Sequence, residues 1–180
     1  MRLNPAQQST QHEMYEQAAA DYGAALARLA CGYEADAEKR RDLLQEVHLA
    51  LWRSFGTFDE RCSMRTWIYR VAHNAATSYV LRQKRARPQA MVSLEELEWK
   101  PEDADREMEA NRREQLGKLT ELIHRLKPLD RQVILSYLEG LNATDIGELT
   151  GLSARNVATK IHRIKNILSR QFHEEARHAE

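Results

Sequence analysis

The stretch from Asn142 to Leu168 constrains this chain more than any other. It reads as two short helices joined by a tight turn. Ile146, Leu149 and Leu152 mark the buried side of the first helix and the turn. Gly151 supplies the left-handed backbone position at which the chain reverses. Ser153 is a good N-cap, because its hydroxyl can accept from a free backbone N–H of the next helix. Val157, Ile161, Ile164 and Leu168 then recur at steps of four, three and four, one apolar face of an amphipathic helix. The opposite face carries Arg155, Asn156, Thr159, Lys160 and Arg163. From Ser153 to Arg170 there are five basic residues and no acidic one. This pattern predicts a helix-turn-helix whose second helix enters a DNA major groove. An ordinary αα-hairpin with a solvated basic face is the alternative. It does not require turn, cap, period and one-signed charge to coincide.

The rest of the chain is also helical in pattern. Prolines stand only at positions 5, 88, 101 and 128, leaving two long stretches free of helix breakers. Residues 12–30 place Tyr15, Ala18, Tyr22, Ala25, Leu26 and Leu29 at helical spacing. Residues 40–54 do the same with Leu43, Leu44, Val47, Ala50 and Leu51. A polar loop from Phe55 to Ser63 leads to a third helix, about 65–84, with Trp67, Ile68, Val71, Ala75 and Tyr79 inward. After a break at 85–101, Leu116, Leu119, Leu122, Ile123 and Leu126 mark another helix. Pro128 and Asp130 open the next, with Val133, Ile134, Tyr137 and Leu138 inward, and Gly140 ends it. His173–Glu180 is polar and is expected to fray. No alternating β-branched run or Asn-Gly hairpin is present. The expected fold class is all-α. Two small helical domains are joined by an acidic linker, and the C-terminal domain is a helix-turn-helix. The expected boundaries are 1–86, a linker at 87–111, 112–173 and a polar tail at 174–180.

Charge is balanced overall, 27 basic against 27 acidic residues, but it is segregated. Residues 61–87 hold seven basic side chains and no acid, and residues 93–110 hold eight acids and two bases. Two basic surfaces separated by an acidic strap suggest two contacts with a polyanion. No apolar run approaches a membrane span, and Met1–Gln11 lacks the apolar stretch of a signal peptide. A cytoplasmic protein without membrane insertion is expected. Cys31 and Cys62 then read as free thiols in a reducing compartment. The seven histidines lack metal-ligand spacing, and no Gly-rich phosphate loop or nucleophile elbow is present. Neither cofactor, metal nor catalytic activity is expected.

Two segments carry a family resemblance. The run Asp42-Leu-Leu-Gln-Glu-Val-His-Leu-Ala-Leu-Trp52, with Phe58-Asp-Glu-Arg-Cys-Ser-Met-Arg-Thr-Trp-Ile-Tyr-Arg-Val-Ala-His-Asn74, resembles the second domain of bacterial RNA polymerase sigma factors. It looks most like the small extracytoplasmic-function (ECF) subfamily. Leu126-Lys-Pro-Leu-Asp-Arg-Gln-Val-Ile-Leu135, followed by the helix-turn-helix, looks like that subfamily's fourth domain. The resemblance covers roughly 12–85 and 112–170. It implies a specificity subunit that binds core RNA polymerase and directs it to promoter DNA. The second domain would read the minus-10 element as single strand, and the fourth the minus-35 element as duplex. The resemblance also implies an anti-sigma protein as partner.

Residues can be matched to these roles. Arg155, Asn156 and Thr159, near Ser153 in the first turns of the recognition helix, suit base contacts. Lys160, Arg163 and Lys165 suit phosphates. For the separated strand, Arg61, Arg65, Arg70 and Arg82 can track a backbone, while Phe58, Ser63 and Met64 can cradle an unstacked base. Asn74 matches a polar position that the family aims at promoter bases. Trp67 lies inside the apolar stripe and reads as core. The polymerase would meet the outer face of helix 40–54 through Arg41, Asp42, Gln45, Glu46 and Trp52, an aromatic anchor. His48 stands where the family usually has an aromatic residue. His73 and Ser78 stand where basic and acidic or amide residues are common. These departures bear on which promoter sequence is read.

A helix-turn-helix transcriptional regulator acting without being a polymerase subunit would share the C-terminal pattern. It would leave the acid-free block at 61–87 unexplained and would ignore core polymerase. A protein-only helical adaptor would show no salt-dependent DNA affinity.

Overall fold

A computed structural model describes residues 5–86 and 109–177, so most of the acidic linker lies outside it. Seven helices follow in order: α1 Pro5–Tyr33, α2 Ala37–Phe55, α3 Met64–Ala86, α4 Glu109–Arg125, α5 Pro128–Leu138, α6 Ala143–Thr150 and α7 Ala154–Arg177. Strands are absent among the described residues, as the all-α reading requires. The helix starts are chemically marked. Asp36 caps α2, its Oδ1 accepting from the N–H of Glu38 and Lys39 at 3.0 Å each. Those two N–H groups, with that of Lys39 foremost, hold the Asp36 carboxyl below its usual range. Pro128 opens α5 where its missing N–H costs nothing. Asn142 caps α6 through the N–H of Thr144 and Asp145.

The N-terminal half packs α2 against both α1 and α3, with Leu43, Val47, Leu51 and Phe55 buried on α2. Phe55, read from sequence as the start of the loop, instead ends the helix one turn beyond Leu51 and completes its stripe. On α3 the buried set is Thr66, Ile68, Tyr69, Ala72, His73, Ala76 and Tyr79. Trp67, Val71 and Ala75, expected inward, are only half-buried. The stripe is rotated because α3 serves two neighbours. Trp67 and Tyr79 hydrogen-bond to Ser54 and Lys39 of α2, while Tyr69 and His73 meet α5.

The same rotation appears in α5. Leu135 and Ser136 are buried there, whereas Tyr137 and Leu138, expected inward, are exposed, Leu138 by 55%. Leu135 lies against Gly32 of α1, where an added Cβ would come within 2.5 Å of a Leu135 methyl. Leu116, expected to mark the apolar face of α4, is 57% exposed. Helix α7 runs on to Arg177, beyond the point where fraying was expected; Glu, Ala and Arg favour helix continuation. The halves share one continuous apolar core, with α1 and α3 packed on α4, α5 and α6.

Candidate functional site

The helix-turn-helix is built as its sequence requires. Gly151 adopts φ 77° and ends α6, its N–H donating to Gly147 O at 2.8 Å. Ser153 Oγ accepts from Asn156 N at 3.3 Å and caps α7. Val157, Ile164 and Leu168 are buried and Ile161 half-buried, so the apolar face of α7 packs inward. Arg155, Asn156, Thr159 and Arg163 stand exposed on the other side. Two proposed phosphate contacts are partly engaged within the chain. Lys160 Nζ pairs with Asp130 at 2.6 Å, and Lys165 Nζ lies 5.6 Å from the centre of the exposed Tyr137 ring.

Sequence reasoning missed Gly147, which makes the turn possible. A Cβ there would sit 2.6 Å from the Leu152 carbonyl oxygen, so α6 and the turn meet backbone to backbone. A glycine inside an otherwise good helix was the available signal. Arg131 was also missed. It is buried, donating to the carbonyls of Ile123, His124 and Leu126 at the end of α4. A cation there satisfies carbonyls that the helix leaves free. Its guanidinium also lies over the Tyr33 ring of α1, 5.5 Å from the centroid.

The residues assigned to a separated strand do not form one cluster. Arg70 and Asn74 lie one turn apart on α3, and Asn74 is exposed. Arg61 is exposed at the loop, paired with Asp59 at 2.9 Å. Phe58 is half-buried, its ring 5.2 Å from that of Trp67. Ser63 Oγ accepts from Thr66 N at 3.0 Å and therefore caps α3; Met64 follows, half-buried. Glu60 holds φ 58°, a left-handed position that turns the loop between Asp59 and Arg61. Arg82 lies apart from this group and pairs with Glu46 across the α2–α3 seam.

Two arginines of the set are turned toward the C-terminal half. Arg65 Nη2 donates to Glu139 O at 2.5 Å, and Arg70 Nη2 to Glu148 O at 3.0 Å. Cys62 is half-buried beside Asp59, Arg61, Trp67, Arg70 and Glu148, which line a shallow cleft of about 390 Å³.

On α2, Arg41, Asp42, Gln45 and Trp52 are exposed, and Glu46 is half-buried with Arg82. Trp52 is 39% and Leu49 47% exposed, so the polar outer face carries an apolar element that its charge pattern alone would hide. Among the described residues no helix is long and apolar enough to cross a membrane. No group of three or more His, Cys, Asp or Glu among them is placed to hold a metal ion.

Comparison with known proteins matches both halves. The family model described as Sigma-70 region 2 matches residues 19–86, and Sigma-70 region 4 matches residues 116–168. The ECF RNA polymerase sigma-E factor of Haemophilus influenzae is 28% identical over 138 residues, covering 73% of each chain. The RNA polymerase sigma-H factor of Pseudomonas aeruginosa is 25% identical over 142 residues, covering 75% of this chain and 74% of that one. Two solved structures share the fold, each with a TM-score of 0.65. CnrH, in complex with the cytosolic domain of CnrY, is 20% identical and covers 94% of this chain and 98% of its own. The sigma factor RpoE of Bartonella quintana, with the anti-sigma factor NepR, is 17% identical and covers 87% and 94%. With both sigma regions in order on one chain, and curated relatives of that kind over most of its length, this protein belongs to the ECF RNA polymerase sigma factors.

Proposed function

We propose that this chain binds core RNA polymerase and directs it to promoters, contributing recognition and strand opening rather than catalysis of its own. The observation that carries this reading is the presence of regions 2 and 4 in order on one chain, the second ending in a capped recognition helix with an exposed basic face. The N-terminal domain, 1–86, takes the polymerase and the minus-10 element. The domain at 112–173 takes the minus-35 element, with 87–111 as linker between them.

Duplex readout falls to Arg155, Asn156 and Thr159, since a major groove admits a helix and displays distinct base edges. Arg163, Lys160 and Lys165 hold phosphates, the last two by exchanging internal partners for them. Arg61, Arg65, Arg70 and Asn74 follow the separated strand, with Phe58, Ser63 and Met64 beside the unstacked base. Arg41, Asp42, Gln45, Glu46, Leu49 and Trp52 form the polymerase face. Arg82, held by Glu46, belongs to that face more than to the DNA. A cytoplasmic site of action follows from this role. An anti-sigma protein is the expected antagonist, as the structurally similar RpoE is bound by the anti-sigma factor NepR in its own complex.

In vitro transcription with core polymerase on a library of genomic fragments tests the reading. Adding the protein should create discrete start sites that core polymerase alone does not use. A protein that binds DNA but leaves the transcript pattern unchanged would be a regulator outside the polymerase.

A further inference from the structure

His73 is completely buried, and both halves of the chain hold its ring. The Tyr33 hydroxyl of α1 lies 2.9 Å from Nδ1, and the Ser136 hydroxyl of α5 lies 2.9 Å from Nε2. The same seam contains Arg65 on Glu139 O and Arg70 on Glu148 O. The Glu139 carboxylate accepts from Arg28 at 2.8 and 2.7 Å and from the Tyr69 hydroxyl at 3.4 Å. Docking of the halves therefore occupies two arginines assigned above to the promoter strand, and only that consequence rests on the promoter reading.

We propose that His73 is a proton-sensitive latch: neutral, it holds the C-terminal half over Arg65 and Arg70, and protonated, it releases the halves and uncovers them.

The geometry distinguishes the two charge states. Each hydroxyl can donate or accept, so a neutral imidazole is satisfied in either tautomer. A protonated ring would place a full charge in a dry site with no free carboxylate beside it. The charged and titratable groups along this seam are Arg28 and Tyr33 on α1, Tyr69, Arg65 and Arg70 on α3, His124 on α4, Arg131 on α5 and Glu139 directly after α5. Glu139, the anion of that set, is already held by Arg28. From α6 the seam receives the Glu148 backbone carbonyl. The Glu46–Arg82 pair of α2 and α3 lies on the far side, since nine residues carry a helix half a turn round.

Burial pushes the His73 pKa down to about 3. Opening would return the ring toward its ordinary value of about 6.5. The contribution to closure is therefore complete above that value and is lost as pH falls toward 3. Between pH 7.5 and 5 the closed-to-open ratio should fall about thirtyfold. Carboxylates ordinarily titrate below this window. His124 also crosses the seam, its Nε2 2.7 Å from Cys31 O, and burial lowers its pKa too. By the same linkage its protonation also disfavours closure, but its contact survives, because a ring N–H donates to the carbonyl in either charge state, so it adds to the opening that His73 governs.

Small-angle scattering and far-UV circular dichroism of the full chain at pH 7.5 and 5 test the latch. Wild type should expand at pH 5 with its helicity retained. His73→Gln should have the same size at both pH values, and His124→Gln should expand as wild type does. A wild type that stays compact, a His73→Gln that expands in step with it, or pH dependence abolished by His124→Gln alone would overturn the proposal. Should His73→Gln lose helicity, the histidine ring protons of wild type give a second readout. One ring should titrate together with the expansion; expansion with no ring following it would refute the latch. Scattering detects failure of the latch even if the promoter reading is right, and transcription detects failure of that reading even if the latch is real.

Discussion

Replacing glycine by alanine should have opposite effects at two helical positions in the C-terminal half. Gly117 lies in α4, exposed, with no atom within 4 Å of an added Cβ. There alanine should gain about 0.5–1 kcal/mol, the usual difference in helix propensity. Gly147 lies in α6, buried, and its added Cβ would meet the Leu152 carbonyl oxygen at 2.6 Å. That oxygen is backbone in the turn, so relief requires α6 and α7 to move apart. Overpacking of this kind costs about 1–3 kcal/mol. After the propensity gain of about 1 kcal/mol, Gly147→Ala should destabilise the chain by up to about 2 kcal/mol. The shift acts on Leu152 and Ser153, which seat the start of α7, so duplex binding should fall more than stability alone explains. Urea titration of the three proteins, with a gel shift on a promoter duplex, makes the comparison. If Gly147→Ala stabilises as much as Gly117→Ala, the close approach does not govern the turn.

Arg131→Met should destabilise the chain by about 2–3 kcal/mol, because it leaves buried carbonyls at the end of α4 without their charged donor; an unchanged urea midpoint would show that they find other partners. Arg155→Ala should relax base preference in the upstream element at a cost of about 1–3 kcal/mol, whereas a binding profile identical to wild type would mean that α7 sits differently in the groove. Changing Asp42, Gln45 and Trp52 together to alanine should weaken association with core polymerase while leaving circular dichroism intact, since all three lie outside the buried stripe of α2. Undiminished co-elution with core polymerase would place the main contact elsewhere.

What the sequence disclosed follows from how local each cause is. The turn at Gly151, the Ser153 cap and the apolar stripe of α7 depend on neighbours in the chain, and all three appear as read. The stripes of α3 and α5 are right in part: Ile68, Tyr79, Val133 and Ile134 are buried as expected, while Tyr137 and Leu138 are exposed and His73 and Ser136 are buried in addition. Each helix faces a partner far away in sequence as well as one nearby, and periodicity does not reveal a second partner. His73 shows the same limit. It was legible as a departure from the family pattern, but its role at the seam depends on Ser136, 63 residues away. Arg131 goes unmarked in the sequence, and Arg65 reads there only as a contact for the DNA strand, because their acceptors in the fold are backbone carbonyls, which have no letter in the sequence.

The loop before α3 shows how structure changes a functional test. Phe58 and Ser63 were read as a cradle for an unstacked base, yet both also serve the fold. Phe58 rests against Trp67, and Ser63 caps α3. Losing the cap alone costs about 1 kcal/mol, and losing an aromatic pair about 0.5–1.5 kcal/mol. Alanine at both positions would confuse folding with base capture. Phe58→Leu with Ser63→Thr keeps apolar bulk and a capping hydroxyl while removing the flat ring. Stacking on a base contributes about 1–3 kcal/mol and exists only after the duplex separates. This variant should therefore form the closed complex normally but show reduced permanganate reactivity of promoter thymines. A template with a pre-melted bubble should restore much of its transcription, because the opening step is then supplied. If the variant opens duplex promoters as wild type does, the ring acts only as packing for Trp67 and base capture lies with other residues.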